Sequence, residues 1–524
     1  MSIALVPALL TAVFVLVGCA AASTRPTHQP QRVLTLLHTN DLHGHLEPWQ
    51  GWEGELAGLR IGGADRLSAA IAQLRALRGA QNVLLLDAGD AFSDTMLADL
   101  TQGQAVLQVM NALHYDAMTV GNHEPDFGSA ALRETVRRAS FPVVAANLKT
   151  ASGELLTHPF VIKQVAGIRV GIIGLAYPNT PLTTAKINVA DLRFDPDPAG
   201  VLTRTLPALR SQGAQLVIVL SHLGLGADRK LAQSVHGIDV IVSGHSHNRM
   251  TRPMQVGRTR IVQAGAHGSD LGVLDLVLEG NHVVDARREL IVLDHARVGS
   301  DPGMNERVEQ LAKPYRDKMK EKIGEASASI IRAQTLAGDE PRNRDQQSPA
   351  DCLFADILRQ ETGSDVALLP GVGYGVAIPA GPIPASALRN LVPHDSKVVT
   401  MTLSGQQLHD ILEQSVENTF TSDTSKRVGG MIQVSGLRFV YDPDAQPGAR
   451  VSGVTVNAQQ LDPMRAYRVA TNAMLAEGGH RYGTFLEGRD RQEHQSEYEM
   501  LAGWMKRRAR FDVPSDQRII RQTR

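Results

Sequence analysis

Short apolar runs recur between Arg32 and about Asp294, and polar residues or glycine closely follow each of them. Since such runs are apolar at successive positions, they indicate strands that are buried on both faces. Longer stretches with helical spacing, such as 62–77 and 129–139, separate the runs. Strands that alternate with helices predict an α/β fold. The apolar runs are 33–37, 83–86, 118–120, 169–173, 216–220 and 240–242.

The pattern changes near Gly303. Charged residues dominate 303–325, while apolar residues keep roughly helical spacing, which predicts a solvated connecting helix. A second α/β pattern begins at Ala326, and 524 residues leave room for two or three domains. In this second pattern we predict helices at 349–360 and 404–418 and strands at 398–401 and 438–441. The predicted organisation is a first unit at 32–300, a linker helix at 301–325 and a second unit at 326–524.

The beginning of the chain is typical of an export signal. The apolar run from Ile3 to Val17 is too short to span a bilayer comfortably, and small residues follow it. Its end, Leu16-Val17-Gly18-Cys19, resembles the bacterial lipobox, which implies a lipoprotein signal peptide at 1–18 and a lipid anchor on Cys19. The alternative is an ordinary cleaved signal with an incidental cysteine. We expect a periplasmic or cell-surface lipoprotein, with a tether at 19–31 and no other membrane attachment.

Composition narrows the class of partner. The chain has 53 Lys and Arg against 54 Asp and Glu, so its net charge of −1 gives no basic surface for polymeric nucleic acid. The hydrophobic fraction of 43% is that of an ordinary folded protein. Cys352 is the only cysteine besides Cys19, and we interpret it as a small buried apolar residue rather than a catalytic thiol.

Metal-binding residue types follow several of the predicted strands. The carboxyl ends of strands in an α/β sheet meet at one edge, so these side chains should lie close together. Carboxylate, amide and imidazole donors suit a divalent metal site. A single histidine in such a place is more often a capping or core residue, and the prediction therefore depends on the ordered set. The donors are Asp41, His43, Asp90, Asn122, His222, His245 and His247.

Two longer strings resemble a known family. The strings Asn40–Pro48, N-D-L-H-G-H-L-E-P, and Gly121–Gly128, G-N-H-E-P-D-F-G, are similar to those of calcineurin-like metallophosphoesterases, and more narrowly of bacterial periplasmic 5′-nucleotidases and UDP-sugar hydrolases. The resemblance covers nearly the whole mature chain. It implies a four-layer α/β/β/α metallophosphoesterase sandwich, followed by a C-terminal α/β substrate-binding domain. It also implies hydrolysis of small phosphate esters, foremost nucleoside 5′-monophosphates, with cyclic nucleotides or UDP-sugars as further candidates.

The resemblance also implies roles for individual residues. Asp90 bridges two divalent ions, which the donor types allow to be zinc, manganese or iron. His123 stabilises the transferring phosphoryl group and assists the leaving group, and Asp126 orients His123. An N-cap for the following helix is the alternative role for Asp126. The ligands implied are Asp41, His43, Asp90 and His247 for one ion, and Asp90, Asn122, His222 and His245 for the other.

The second unit departs from the family pattern. Where the family has Asn-x-Gly-Gly-x-Arg, residues 370–375 read Pro-Gly-Val-Gly-Tyr-Gly, so the phosphate-facing arginine is missing there. Met431 and Met474 stand where two base-stacking aromatic residues are expected, and His480 replaces an acidic residue. The alternative is that both methionines pack in the core. The candidate substrate-binding residues are Tyr374, Met431, Met474 and His480.

Two other functions remain open. The Pro-Gly-x-x-Tyr-Gly string is similar to a segment of the sulfur-oxidation thiosulfohydrolases, a sister branch on the same fold. The third hypothesis is a surface-anchored binding protein that keeps a metal-stabilised fold without catalysis. Retention of all seven donors together with His123 and Asp126 favours a hydrolase.

Overall fold

The computed structural model describes residues 32–332, 338–340, 344–373, 375–394, 396–423 and 427–522. The predicted signal peptide and tether, Cys19 and Tyr374 lie outside the described residues. Within those ranges, no helix combines the length and the apolar character that a bilayer crossing requires.

The first unit alternates strands with helices, as its apolar runs predict. Its helices are α1 Ala64–Arg78, α2 Met96–Leu100, α3 Gln104–Leu113, α4 Ser129–Arg138, α5 Pro198–Ser211 and α6 Leu225–Ser234. Its strands are β1 Arg32–Thr39, β2 Trp49–Gln50, β3 Arg60–Ile61, β4 Val83–Asp87, β5 Ala117–Thr119, β6 Val143–Val144, β7 Leu148–Thr150, β8 Phe160–Val165, β9 Ile168–Leu175, β10 Leu192–Phe194, β11 Leu216–Ser221, β12 Val240–Ser243, β13 Met254–Val256, β14 Thr259–Val262, β15 Asp270–Glu279 and β16 His282–Val292.

Most of these strands form two six-stranded sheets. The first sheet has the order β16-β15-β1-β4-β5-β6, and the second has the order β13-β14-β12-β11-β9-β8. In each sheet four consecutive strands run parallel, β1-β4-β5-β6 and β14-β12-β11-β9. The carboxyl ends of these parallel strands therefore define one edge in each sheet.

The two sheets pack face to face between two layers of helices. Leu36 and Leu86 of the first sheet share one core cluster with Ile172 and Val242 of the second. Helices α1, α3 and α4 cover the outer face of the first sheet, and α5 and α6 cover the outer face of the second. The close approach of the sheets requires a glycine in β9, since a Cβ on Gly174 would lie 1.9 Å from the backbone oxygen of Val144. The predicted α/β/β/α sandwich is confirmed.

The charged segment after the first unit is only partly the predicted solvated helix. It contains α7 Pro302–Ala312 and α8 Arg316–Lys320, followed by the strand β17 Lys322–Ala326. The helix α7 buries Met304 and Val308 against α1 and α3. The spacing of its apolar residues correctly predicted a helix, but the abundance of charge did not show that one face of the helix is packed.

The second unit is an α/β structure with two sheets. The helices of this unit are α9 Pro349–Thr362, α10 Ala385–Leu391, α11 Gly405–Phe420, α12 Ala473–Ala476 and α13 Glu497–Arg508. Its strands after β17 are β18 Val366–Gly371, β19 Gly381–Pro384, β20 Lys397–Ser404, β21 Gly430–Ser435, β22 Leu437–Tyr441, β23 Val451–Val456, β24 Gln459–Gln460, β25 Ala466–Asn472, β26 Arg489–Ser496 and β27 Ile519–Arg521. The larger sheet has five strands in the order β21-β18-β25-β20-β26, and a four-stranded sheet of order β24-β23-β22-β27 lies beside it. The predicted helices and strands of this half are confirmed within a few residues.

The two units share a hydrophobic cluster and a partly buried ion pair. The cluster runs from α1 and α3 through α7 and α8 to α9, α10 and α13. Arg389 Nε in α10 donates to Asp99 Oδ2 in α2 at 2.7 Å. Cys352 is buried in α9, as expected, and burial raises the pKa of its thiol to about 12. A thiol with so high a pKa is a poor nucleophile near neutral pH.

Candidate active site

The seven predicted donors lie at the carboxyl ends of the parallel strands, where the two sheets face each other. Six of them are almost fully buried, and His245 is partly exposed. Asp41 and His43 follow β1, Asp90 follows β4, Asn122 follows β5, His222 follows β11, and His245 and His247 follow β12.

The backbone at most of these donors is strained. Five of them adopt the left-handed conformation, with φ between 46° and 73°. Non-glycine residues are uncommon in this region, and such strain tends to cluster at functional sites. The residues are Asp41, His43, Asp90, His245 and His247.

The donor atoms converge in two groups that share Asp90. In the first group, His43 Nε2 lies 3.1 Å from His247 Nε2, and His247 Nε2 lies 3.5 Å from Asp41 Oδ1. Asp90 joins this group together with Asp41 and His43. The second group contains Asp90, His222 and His245, and His222 Nε2 lies 2.9 Å from Asp90 Oδ2.

Asn122 completes the second group, because its Oδ1 lies 2.8 Å from His245 Nδ1. All seven donors predicted from the sequence are therefore in or next to the two groups.

This donor set fits divalent cations. At 3.1 Å, the Nε2 atoms of His43 and His247 face each other, and at most one of the two can donate a hydrogen bond. His222 Nε2 is buried and lies 2.9 Å from Asp90 Oδ2, the carboxylate that the two donor groups share. Cations between these atoms would satisfy lone pairs that protons cannot satisfy together.

Neighbouring acceptors fix the orientation of two of the histidine rings. His222 Nδ1 donates to the backbone oxygen of Ala88 at 2.7 Å, and His43 Nδ1 lies 2.6 Å from Asp94 Oδ2. An acceptor at Nδ1 leaves Nε2 as the atom that faces the donor groups. This is the usual arrangement of metal-ligating histidines.

The charges of neighbouring donor side chains shift one another's pKa values. Burial alone would raise the pKa of Asp90, but His222 and His123 hold it well below its usual range. Burial likewise opposes protonation of His222, yet the adjacent Asp90 raises the pKa of His222 to about 10. Asp90 thus favours the protonated form of His222, whereas burial and the nearby His222 hold the pKa of His245 well below its usual range. A metal ion bound to His222 would displace its proton.

His123 and Asp126 form the predicted pair. His123 Nδ1 lies 2.7 Å from Asp126 Oδ2, and Thr184 Oγ1 donates to the other carboxylate oxygen at 2.9 Å. The N-cap alternative for Asp126 is wrong, because Gly128 occupies the N-cap of α4 without a side-chain bond. Although burial opposes it, Asp126 and Asp94 hold the pKa of His123 well above its usual range. A cationic imidazole beside Asp90 can donate to an oxygen that gains negative charge.

Residues of both units line a cavity in front of the donors. Met474 and His480 lie at its wall together with Tyr177, Arg344, His394 and Arg427. Met431 instead packs in the core, where Ser415 Oγ donates to its Sδ at 3.1 Å. The sequence therefore placed Met431 wrongly in the substrate pocket, and the core alternative holds for this residue.

Family models match both units of the chain. Residues 34–249 match the calcineurin-like phosphoesterase model, and residues 322–487 match the 5′-nucleotidase C-terminal domain model. The chain is a calcineurin-like metallophosphoesterase with a 5′-nucleotidase C-terminal domain. It is a hydrolase, and the resemblance noted in the sequence is confirmed. Enzymes of the calcineurin-like class use divalent metals, which agrees with the donor groups.

Individual relatives agree with this membership. The trifunctional nucleotide phosphoesterase YfkN of Bacillus subtilis is 27% identical over 87% of this chain, and the chain spans 32% of that larger protein. The 5′-nucleotidase precursor of Thermus thermophilus has 29% identity and a TM-score of 0.84, covering 94% of this chain and 100% of its own. The sulfate thiohydrolase SoxB of the same genus has 25% identity and the same TM-score, covering 94% and 97%.

His394 and Asp94 are site residues of this metallophosphoesterase that the sequence motifs did not predict. His394, from the loop after α10, stacks on His123 with ring centroids 4.8 Å apart and planes 4° apart. Its Nδ1 lies 3.4 Å from Asp126 Oδ2. Asp94 faces His43 from the loop after β4. Asp94 lies only four residues after the predicted donor Asp90, so the sequence could have suggested it as a site residue. His394, in contrast, lies in a loop without any motif.

Arg344 supplies a cation where the expected arginine is missing. It precedes α9 and reaches the cavity beside Gly373, where an added Cβ would lie 2.2 Å from the guanidinium carbon. The glycines of the unusual Pro-Gly-Val-Gly string thus leave room for an arginine from another loop. No periodic pattern in the sequence links these two segments.

We expect removal of metal to destabilise the first unit. Ligands that bind only the folded state stabilise it by about 2.7 kcal/mol at a hundredfold excess over Kd, or roughly 5–10 °C in melting temperature. The measurement is thermal melting with manganese or zinc and then with a chelator. The Asp90→Asn variant, which weakens both donor groups, should lose most of this difference. Equal melting temperatures with metal and with chelator would contradict the metal assignment.

Proposed function

We propose that this chain hydrolyses nucleoside 5′-monophosphates to nucleoside and phosphate. The observation that carries the proposal is the convergence of the seven donor side chains in two groups that share Asp90, next to the His123–Asp126 pair. A nucleotide phosphoesterase and a 5′-nucleotidase among the relatives support a nucleotide as substrate. Cyclic nucleotides and UDP-sugars are further candidate substrates of the same site.

The proposed metal ligands follow the two donor groups. Asp41, His43, Asp90 and His247 would hold one divalent ion, and Asp90, Asn122, His222 and His245 would hold the second. When bound, such ions polarise phosphoryl oxygens and lower the pKa of a coordinated water. Zinc, manganese and iron all suit this set of oxygen and nitrogen donors.

The protein's own groups would act on the phosphoryl group as it transfers. His123, kept cationic by Asp126, would donate to a phosphoryl oxygen and stabilise its growing charge. His123 would also assist departure of the nucleoside oxygen. Burial around Asp41 and Asp90 excludes bulk water, which strengthens these interactions.

Residues of the second unit would select the substrate. Arg344 would pair with the phosphate, because a guanidinium binds phosphate oxygens in a bidentate manner. Met474 and His480 would contact the nucleoside part, and Tyr374 is proposed to join them. A thioether gives an adaptable contact, so we expect weaker base selectivity than aromatic stacking would give.

We also propose that the protein is exported. The apolar run at 3–17 and the lipobox-like Cys19 support a periplasmic or cell-surface lipoprotein. The unit boundaries at 32–300, 301–325 and 326–524 remain part of the same proposal.

A thiosulfohydrolase is the second candidate. The SoxB structure has the same TM-score as the Thermus 5′-nucleotidase, although its sequence identity is lower. This candidate predicts sulfate release from a sulfur substrate and no activity on phosphate esters. A binding protein without catalysis is the third, and the complete donor set speaks against it.

The assay that separates these functions uses residues 31–524, loaded with manganese or zinc. We expect phosphate release from AMP, a smaller rate with a generic aryl phosphate, and no sulfate release from S-sulfocysteine. The Asp90→Asn variant should lose at least 100-fold in kcat, on the order of one lost catalytic group. Sulfate release without phosphate release would establish the thiosulfohydrolase instead. Metal binding without either activity would favour the binding protein.

Substitution of Arg344 tests whether this residue binds the phosphate group of the substrate. A hydrogen bond to a charged group contributes about 1.5–3 kcal/mol, so Arg344→Ala should lower kcat/KM for AMP roughly 10–100-fold. Steady-state kinetics with AMP measures this loss, and Arg344→Lys should recover part of it. The exposed Arg252 provides the control, since Arg252→Ala should leave kcat/KM unchanged. An Arg344→Ala variant with unaltered kcat/KM would contradict this role.

A further inference from the structure

We propose that His267 is an additional ligand of the ion held by Asp41, His43, Asp90 and His247, and that it makes the two metal positions chemically unequal. The inference rests on the proposed function, because it concerns the same metal centre. Sequence motifs gave no indication of His267, which lies in the loop between β14 and β15.

The position of the ring supports this role. His267 is fully buried, and its ring centroid lies 5.4 Å from those of both His43 and His247. One potential ligand atom from each of the three histidines lies within 4.8 Å of the others. A cation that contacts two of these rings is therefore within reach of the third.

The hydrogen bonding of His267 is incomplete. Among the described residues, neither Nδ1 nor Nε2 of His267 has a hydrogen-bond partner. Buried polar groups nearly always have a partner, and an imidazole without any is costly to bury. A metal ion would satisfy one of these nitrogens at the place where the other two rings converge.

Hydrogen bonds to its backbone hold His267 against the segment that follows β1, which carries Asp41 and His43. Its N–H donates to the backbone oxygen of Asp41 at 2.7 Å, and Trp49 Nε1 donates to its carbonyl oxygen at 2.9 Å. His267 also adopts the left-handed conformation, with φ of 57°, like the proposed ligands His43 and His247. The fold thus imposes on His267 the same unusual backbone that it imposes on those ligands.

Three imidazoles would change the metal preference of this position. His43, His247 and His267 give it three nitrogen donors, whereas His222 and His245 give the other position two beside the amide oxygen of Asn122. Nitrogen-rich sites favour zinc over manganese, and oxygen donors suit manganese better. We therefore expect a mixed centre when both metals are available, with zinc in the His267 position.

Packing is the competing explanation, because His267 also contacts His45 and Trp49. Two substitutions at His267 separate the roles. His267→Phe keeps a ring and removes the nitrogens. His267→Asn keeps an oxygen donor and a residue type that tolerates the left-handed conformation. His45→Phe is the matched control, because His45 is a neighbouring buried histidine with an unpaired Nε2 but belongs to none of the metal-binding groups among the described residues.

The test measures metal binding directly. Metal-free protein is equilibrated with equal zinc and manganese, its metal content is determined, and zinc affinity is measured by competition with a chelator. Cobalt loading adds an absorption spectrum that reports the ligands of each position. We expect one zinc and one manganese in the natural protein. His267→Phe should weaken the tighter zinc site roughly 10–100-fold and alter the cobalt spectrum, with His45→Phe unchanged.

Unchanged zinc affinity and cobalt spectrum in a folded His267→Phe variant would overturn the inference. An equal loss in His45→Phe would overturn it as well, by assigning the effect to packing. If the Phe variant does not fold, His267→Asn decides: a smaller preference for zinc over manganese supports the inference, and an unchanged preference overturns it. Failure of the proposed function is distinguishable, since the natural protein would then lack bound metal or AMP hydrolysis whatever residue 267 is.

Discussion

The site depends on holding the carboxylate of Asp90 between the two sheets, and Glu124 and Gly121 fix its position. Glu124 accepts hydrogen bonds from the backbone N–H groups of Asp90 at 3.0 Å, Ala91 at 2.7 Å and Gly121 at 2.6 Å, which ties the loop after β4 to the loop after β5. A Cβ on Gly121 would lie 2.1 Å from Asp90 Oδ1, so only glycine fits at that position. The Gly-Asn-His-Glu string therefore fixes the position of Asp90 and also supplies the donor Asn122.

The completed site needs both units of the chain. The first unit supplies the donors and the His123–Asp126 pair. The second unit adds Arg344 at the cavity wall and His394 against His123. The partly buried Arg389–Asp99 ion pair and a continuous hydrophobic cluster hold the two units together. Chemistry and substrate selection can thus change separately on one fold.

The sequence predicted those features that have a local signal. Apolar runs followed by polar residues located the strand ends, and the donors Asp41 to His247 came from them. His267, His394 and Arg344 come from loops whose positions depend on tertiary packing, so no local pattern marks them. Met431 was misplaced because it was assigned from the position of the family's stacking aromatic residues. Since β21 is buried along its whole length, alternation of apolar and polar residues could not have corrected that assignment. The charge of α7 likewise indicated a solvated face without showing which helices cover the other face.

The most direct test of the two-metal site is to locate the ions in crystals of the metal-loaded protein by anomalous scattering. We expect two peaks roughly 3.5–4 Å apart, as in other two-metal sites, with the Asp90 carboxylate in contact with both. A single peak, or a pair of ions that Asp90 does not contact, would contradict it.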